Sequence, residues 1–391
     1  MALARKEIFD KAKRVLVKIG SAVLTGEDGL DLHIIEQLVD EIVELRNRGK
    51  QVVIVTSGAI ASGKHRLGIT GPLKSMPQKQ AAAAIGQSRL MRVYSNAFGK
   101  YGVYVGQILL TMSDLTERKR FLNIKNTLNQ LLEWKVVPII NENDTVAVEE
   151  IRFGDNDQLA AMTANIIDAD IVVNLTNIEG LYDKNPHRSS KAKVIHLVAE
   201  ISDEIEQAAA PDTSDVGTGG MKSKVAAAKQ VTAFGIPYVI APGKEKGILR
   251  DLFDGKEKGT LFLPKANALS SRKYWIAYTL RSRGKLTLDD GARTAIVNEG
   301  RSLLPSGIIK VEGDFCVGDT VSCVDGQGNV IAKGITNYSA DEVKKIMGQK
   351  SSKIEQILGY KDYDEVIHRD NMAVVYEKER IRKGSKEIKE K

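Results

Sequence analysis

The chain has 391 residues, enough for two or three domains, and 42% of them are hydrophobic, so a sizeable core can form and wholesale disorder is excluded. A net charge of +7 suits nucleic acid as a partner and equally suits an enzyme that handles anionic nucleotides and acids. No apolar run approaches the ~20 residues of a membrane span, and the start MALARKEIFDKAKR lacks a signal-peptide core, so a soluble, cytoplasmic protein with no membrane association is expected.

Residues 14 to 263 alternate between two hydrophobic periods. The apolar run 15–19 reads as a buried strand ending in Lys18-Ile19-Gly20-Ser21. Residues 32–48 then place Ile35, Leu38, Val39, Ile42 and Leu45 on one helical face, with Gly49 as the stop. A strand at 51–55 leads into Thr56-Ser57-Gly58-Ala59, where a helix can begin. A helix at 79–98, a strand at 103–110 and a helix at 121–134 follow. The strand at 136–140 runs into Asn141-Glu142-Asn143-Asp144, and Gly154-Asp155-Asn156-Asp157 precedes a helix at 157–168. A strand at 171–175, a helix at 221–234 and strands at 237–241 and 260–263 complete the series. Repeated strand–helix–strand order predicts an α/β domain over 10–264, a mainly parallel sheet sandwiched by helices, with its ligand site at the carboxyl ends of the strands. Residues 265–283 read as a linker. From 284 to 371 the texture changes to short strands and frequent glycine turns, which predicts a small β-barrel-like domain. Cys316 and Cys323 lie there, match no zinc or redox spacing, and are read as free thiols. A charged tail occupies 372–391.

Chemistry concentrates at strand and helix ends. Gly217-Thr218-Gly219-Gly220-Met221-Lys222-Ser223-Lys224 opens an alanine-rich helix, where backbone N–H groups and ammonium charges converge on an anion. It is neither a Walker A sequence nor a dinucleotide glycine pattern. Lys18 interrupts an apolar strand immediately before Gly20 and Ser21; it either snorkels at the strand end or reaches a phosphoryl group. Together the two lysine–glycine elements suggest opposite sides of a phosphate clamp. Thr56-Ser57-Gly58 lacks the flanking glycines of a nucleophile elbow, so Ser57 reads as a binding hydroxyl or a helix cap. The two acid–amide clusters can serve as turns and caps, or read the ammonium and carboxyl ends of an amino acid. A carboxylate among them would also hold two lysines in place.

These elements together resemble the glutamate 5-kinases of the amino acid kinase family, through Val17-Lys18-Ile19-Gly20-Ser21, Val55 to Ala61, Asn141 to Asp144, Gly154 to Asp157 and Gly217 to Met221. Residues 284 to 370 resemble a PUA domain, through Leu288-Asp289-Asp290-Gly291-Ala292, Ser302 to Gly307, Gly313-Asp314-Phe315, Gly318-Asp319 and His368 to Asn371. The resemblance implies ATP-dependent phosphorylation of the side-chain carboxylate of L-glutamate, the first step of proline synthesis, with Mg2+ accompanying ATP and proline as feedback inhibitor. By position, it assigns phosphoryl stabilisation to Lys18 and Lys224, their orientation to Asp157, and glutamate binding to Ser57, Asp144 and Asn156. The nucleotide would meet Lys18, Gly20, Thr176, Asn177 and the stretch Thr218, Gly219, Gly220, Met221, Lys222, Ser223 and Lys224. Asn177 stands where similar proteins often carry Asp. A homo-oligomer, a dimer or tetramer, is expected. Related kinases acting on N-acetylglutamate or aspartate are the near rivals, and an RNA-binding or RNA-modifying protein, suggested by the PUA-like domain and the basic charge, is the rival from another class.

Overall fold

Runs rich in valine and isoleucine form strands here because their stiff, β-branched side chains pack well on a pleated surface buried from both sides. In the computed structural model the described residues are 2–26, 29–147, 156–184, 189, 191–208, 220–264, 273, 276–277 and 280–375. The chain divides into two compact units, Met1–Ala268 and Leu269–Lys391.

The strands of the first unit are β1 (Arg14–Ile19), β2 (Thr25–Gly26), β3 (Gly29–Leu30), β4 (Gln51–Val55), β5 (Val105–Leu110), β6 (Val137–Glu142), β7 (Ile171–Thr176), β8 (Leu197–Val198), β9 (Tyr238–Pro242) and β10 (Thr260–Phe262). Eight of them form one sheet in the order β5-β6-β4-β1-β7-β9-β10-β8, while β2 and β3 make a separate ribbon. Neighbours in the large sheet run parallel except β9 and β10. The expected mainly parallel α/β sheet is therefore the fold.

Alternation along β1 divides the core into two layers. Val15, Val17 and Ile19 face one layer together with Leu38, Ile42 and Leu90 from the helices Leu32–Asn47 and Met76–Gly99. Leu16 faces the other layer with Leu159, Met162 and Val225 from the helices Asn156–Ile166 and Met221–Ala233. Because side chains alternate with period two, Lys18 projects with Leu16, toward the second pair of helices. In register beside Lys18 lie Val55 of β4 and Asn174 of β7.

The second unit has its own sheet. Its strands β11 (Gly284–Leu288), β12 (Ile308–Gly313), β13 (Thr320–Val324), β14 (Val330–Ile335) and β15 (Met372–Val374) are ordered β12-β11-β13-β14-β15, antiparallel except between β11 and β13. Leu286, Ile308, Val321, Ile331, Tyr338 and Val343 form its core.

Candidate active site

Asp157 opens the helix Asn156–Ile166 and is fully buried. Its Oδ1 pairs with the ammonium of Lys18 from β1, and its Oδ2 accepts from Lys224 Nζ at 3.1 Å. Ser223 Oγ donates to the same Oδ2 at 2.9 Å, and Asn174 Nδ2 donates to Oδ1 at 2.8 Å. Burial alone would push the carboxyl pKa up, but the charges and hydrogen bonds of Lys18 and Lys224 outweigh it and hold the group down to about 2. Both lysines are themselves nearly buried, at 4% and 5% exposure, so their ammonium groups have little freedom to wander. Lysines far apart in sequence thus meet on one carboxylate, each tethered by a different oxygen.

In front of the lysines lies a cleft of about 520 Å³. Of the residues singled out from sequence, Lys18, Gly20, Ser57, Asp144, Asn156, Thr176, Asn177 and Lys224 line it. Asp157 stands behind the two lysines. Gly220, Met221, Lys222 and Ser223 are not on the cleft wall, and Lys222 is exposed. Thr218 and Gly219 fall outside the described residues, as do Gly154 and Asp155. The helix explains the contrast between the two lysines: positions two apart point about 200° away from each other, so Lys224 faces the sheet while Lys222 faces solvent.

The other side of the cleft is built around Asn156. Its Nδ2, with two hydrogens to give, lies within hydrogen-bond distance of three acceptors, the Thr56 carbonyl, Ser57 Oγ at 3.0 Å and Asn141 Oδ1 at 2.8 Å. Asn141 in turn donates to Gln87 Oε1 at 2.9 Å. The loop after β4, the end of β6 and the start of the helix Asn156–Ile166 are tied together by one amide. Gly58 caps the helix Ala59–Arg66 at φ +94°, a left-handed conformation that favours glycine. A Cβ on Gly63 would lie 1.8 Å from the Ala82 carbonyl oxygen, and one on Gly86 would lie 1.8 Å from that of Ala59. Paired glycines therefore let the helix Ala59–Arg66 press its backbone onto Met76–Gly99, bringing Ala59, Ile60 and Ala61 to the cleft.

Lys64, Lys79 and Glu142 also line the cleft without having been singled out individually, although Glu142 lies inside one of the acid–amide clusters. Asn174 was missed altogether. Its signal was the same as that of Lys18, a polar residue inside an apolar strand, but no glycine or serine follows to draw attention to it.

The sequence profile of the amino acid kinase family matches residues 13–242. The chain belongs to this family. A PUA domain profile matches residues 284–358. Among the family's curated members, the glutamate 5-kinase of Syntrophus aciditrophicus (strain SB) is 68% identical over 380 residues, covering 97% of this chain and 99% of the relative. The glutamate 5-kinase of Syntrophotalea carbinolica is 52% identical, covering 95% of this chain and 99% of its own, and that of Geobacter sulfurreducens is 51% identical, covering 95% and 100%. Family membership places the α/β unit among kinases, and its lysine-lined cleft at the strand carboxyl ends is where such a fold binds its ligands.

Proposed function

We propose that the chain transfers the γ-phosphoryl group of ATP to the side-chain carboxylate of L-glutamate, releasing ADP and L-glutamyl 5-phosphate, the first step of proline synthesis. The convergence of Lys18 and Lys224 on buried Asp157, at the wall of a cleft, carries this reading. Relatives that align over almost the whole chain carry the matching name.

A carboxylate oxygen of glutamate forms the new P–O bond while the bond from the γ-phosphorus to its bridging oxygen breaks, and the electron pair leaves with ADP. The nucleophile is already deprotonated, so no proton must move in the transfer. Positioning and neutralisation of the migrating group supply the catalysis. In this reading Lys18 and Lys224 face the equatorial oxygens, and Asp157 keeps both ammonium groups in place. Asp144 receives the glutamate ammonium, while Ser57 and Asn156 orient its carboxyl groups. Gly20, Thr176, Asn177 and Lys224 meet the nucleotide at the cleft wall, and the stretch 218–223 is assigned to it by the family resemblance alone.

Mg2+ would enter on the ATP phosphates and add its charge to that of the lysines. Among the described residues no group of three His, Cys, Asp or Glu is gathered for a metal of its own. Glu142 and Asp144 are the acidic side chains on the cleft wall. Among the described residues no helix is long and apolar enough to cross a membrane. Feedback inhibition by proline, assembly into a homo-oligomer and RNA binding by the PUA unit belong to the same proposal. ATP-dependent hydroxamate formation is the test, run on glutamate, N-acetylglutamate and aspartate, with and without proline. Glutamate should be the preferred acceptor and proline should slow the reaction; preference for another acid would overturn the substrate assignment.

A further inference from the structure

We propose that Asn174 and Tyr238 form a positioning relay for the phosphoryl-transfer step, fixing the Asp157 carboxylate from the side away from the cleft so that each of its oxygens meets one lysine. The inference rests on the kinase reading above and adds two residues to which nothing so far assigns a role.

Three adjacent strands build the relay. Lys18 of β1 and Asn174 of β7 lie side by side in register, and Val172 of β7 pairs with Tyr238 of β9. Lys18, Asn174 and Tyr238 thus share the sheet face that carries the helix bearing Asp157. Asn174 Nδ2 donates one hydrogen to Asp157 Oδ1 at 2.8 Å and the other to Tyr238 Oη at 2.6 Å. Both residues are fully buried, and the Tyr238 ring is itself held edge-on to Phe262, with centroids 6.1 Å apart. The amide has only one workable orientation. Turned over, its carbonyl would face the Asp157 carboxylate at the same short distance, acceptor against acceptor.

A reason tied to function is needed because Asn174 is a poor choice for folding alone. Its neighbours in Ile-Val-Val-Asn-Leu-Thr are mostly apolar, and its Oδ1 is buried with no hydrogen-bond partner among the described residues. A leucine of similar volume would leave no amide carbonyl stranded. What leucine could not supply is a donor to Oδ1. Lysine stems are long and rotatable, and a carboxylate between two of them can swivel about its terminal torsion. Ser223 restrains Oδ2 and Asn174 restrains Oδ1, so both oxygens are held by a neutral donor as well as by an ammonium group. Tyr238, accepting the second amide hydrogen, keeps the Asn174 side chain from rotating away.

The full-length protein tests this with Asn174→Leu, Tyr238→Phe and the double variant, assayed with ATP and whichever carboxylate acceptor the unsubstituted enzyme prefers. Turnover per folded molecule should fall about tenfold to a hundredfold in Asn174→Leu, the scale of misplacing a reacting group by ~1 Å. KM values for acceptor and ATP should change far less, since neither residue touches substrate. Tyr238→Phe should lose less, and the double variant should be no worse than Asn174→Leu, because the tyrosine hydroxyl reaches the carboxylate through the amide. Parent-like kcat in folded Asn174→Leu, or losses that multiply in the double variant, would overturn the relay. If Asn174→Leu does not fold, the isosteric Tyr238→Phe decides: a lowered kcat at unchanged KM supports the relay, and unchanged kcat refutes it. Failure to use glutamate would refute the substrate assignment and leave these comparisons intact on the acceptor actually used.

Discussion

At Asp157, burial and charge pull in opposite directions, and charge prevails. A carboxyl held down to about 2 in the folded protein titrates nearer 4 when unfolded, so the unfolded chain binds the proton more readily. Its stabilising contribution is complete above the unfolded value and is lost as pH falls through the folded one, a window of roughly pH 4 to 2. Thermal unfolding across that range should show an acid limb in the parent that is shallower in Asp157→Asn, where only the other lowered carboxyls, such as Asp114 and Asp325, remain to titrate. The same variant, which takes the Asp157 charge away from two nearly buried ammonium groups, should be less stable at neutral pH by about 3 kcal/mol and essentially inactive. Lys224→Ala should cut kcat by roughly two to three orders of magnitude, as expected for losing one transition-state donor; near-normal turnover would remove Lys224 from the reaction. For Asp144→Ala the expected change is a higher KM for glutamate, and an unaltered glutamate dependence would remove it from the substrate pocket. Sequence made Lys18 and Asp157 visible because each sits beside a glycine or an acid–amide cluster at an element's end. It hid Asn174, whose partner lies 17 residues back on a helix and whose second contact lies 64 residues ahead, contacts that only the sheet register brings together.

Among the elements, length decided what could be anticipated. The strands β1, β4, β6, β7 and β9 and the long helices fall within a few residues of their expected spans, because each repeats its hydrophobic period more than once. The two-residue β8 and the short helices Met112–Thr116, Asp203–Ala208 and Ile248–Phe253 are too brief for a period to register. Nor could periodicity reveal that Gly63 and Gly86 face one another. Each reads as a helix-weakening glycine until the two backbones are seen in contact. Gly86→Ala would drive a methyl group into the Ala59 carbonyl and push the helix Ala59–Arg66 off its seat. We expect a loss of roughly 1–3 kcal/mol and a higher KM for glutamate, since the displaced first turn lies next to Ser57. Urea unfolding and glutamate titrations of the variant would check both.

At the scale of the whole molecule, the change in texture after residue 264 corresponds to two separate sets of core residues. The two layers about the large sheet draw on residues from Phe9 to Phe262, and the core of the second unit on residues from Leu286 to Met372. A fragment ending at residue 268 should therefore unfold cooperatively on its own and retain ATP-dependent hydroxamate formation; a fragment without a cooperative transition would show that its core is incomplete. If the PUA unit binds RNA, that binding should weaken steeply with added salt.

Four lysines against the two acidic side chains on the cleft wall and Asp157 behind them leave a small excess of positive charge there before any nucleotide arrives. Small oxyanions from the medium are the natural lodgers of such a place. Sulfate and inorganic phosphate in a buffer should occupy it and raise the apparent requirement for ATP, so the choice of buffer salt becomes a kinetic variable for this enzyme.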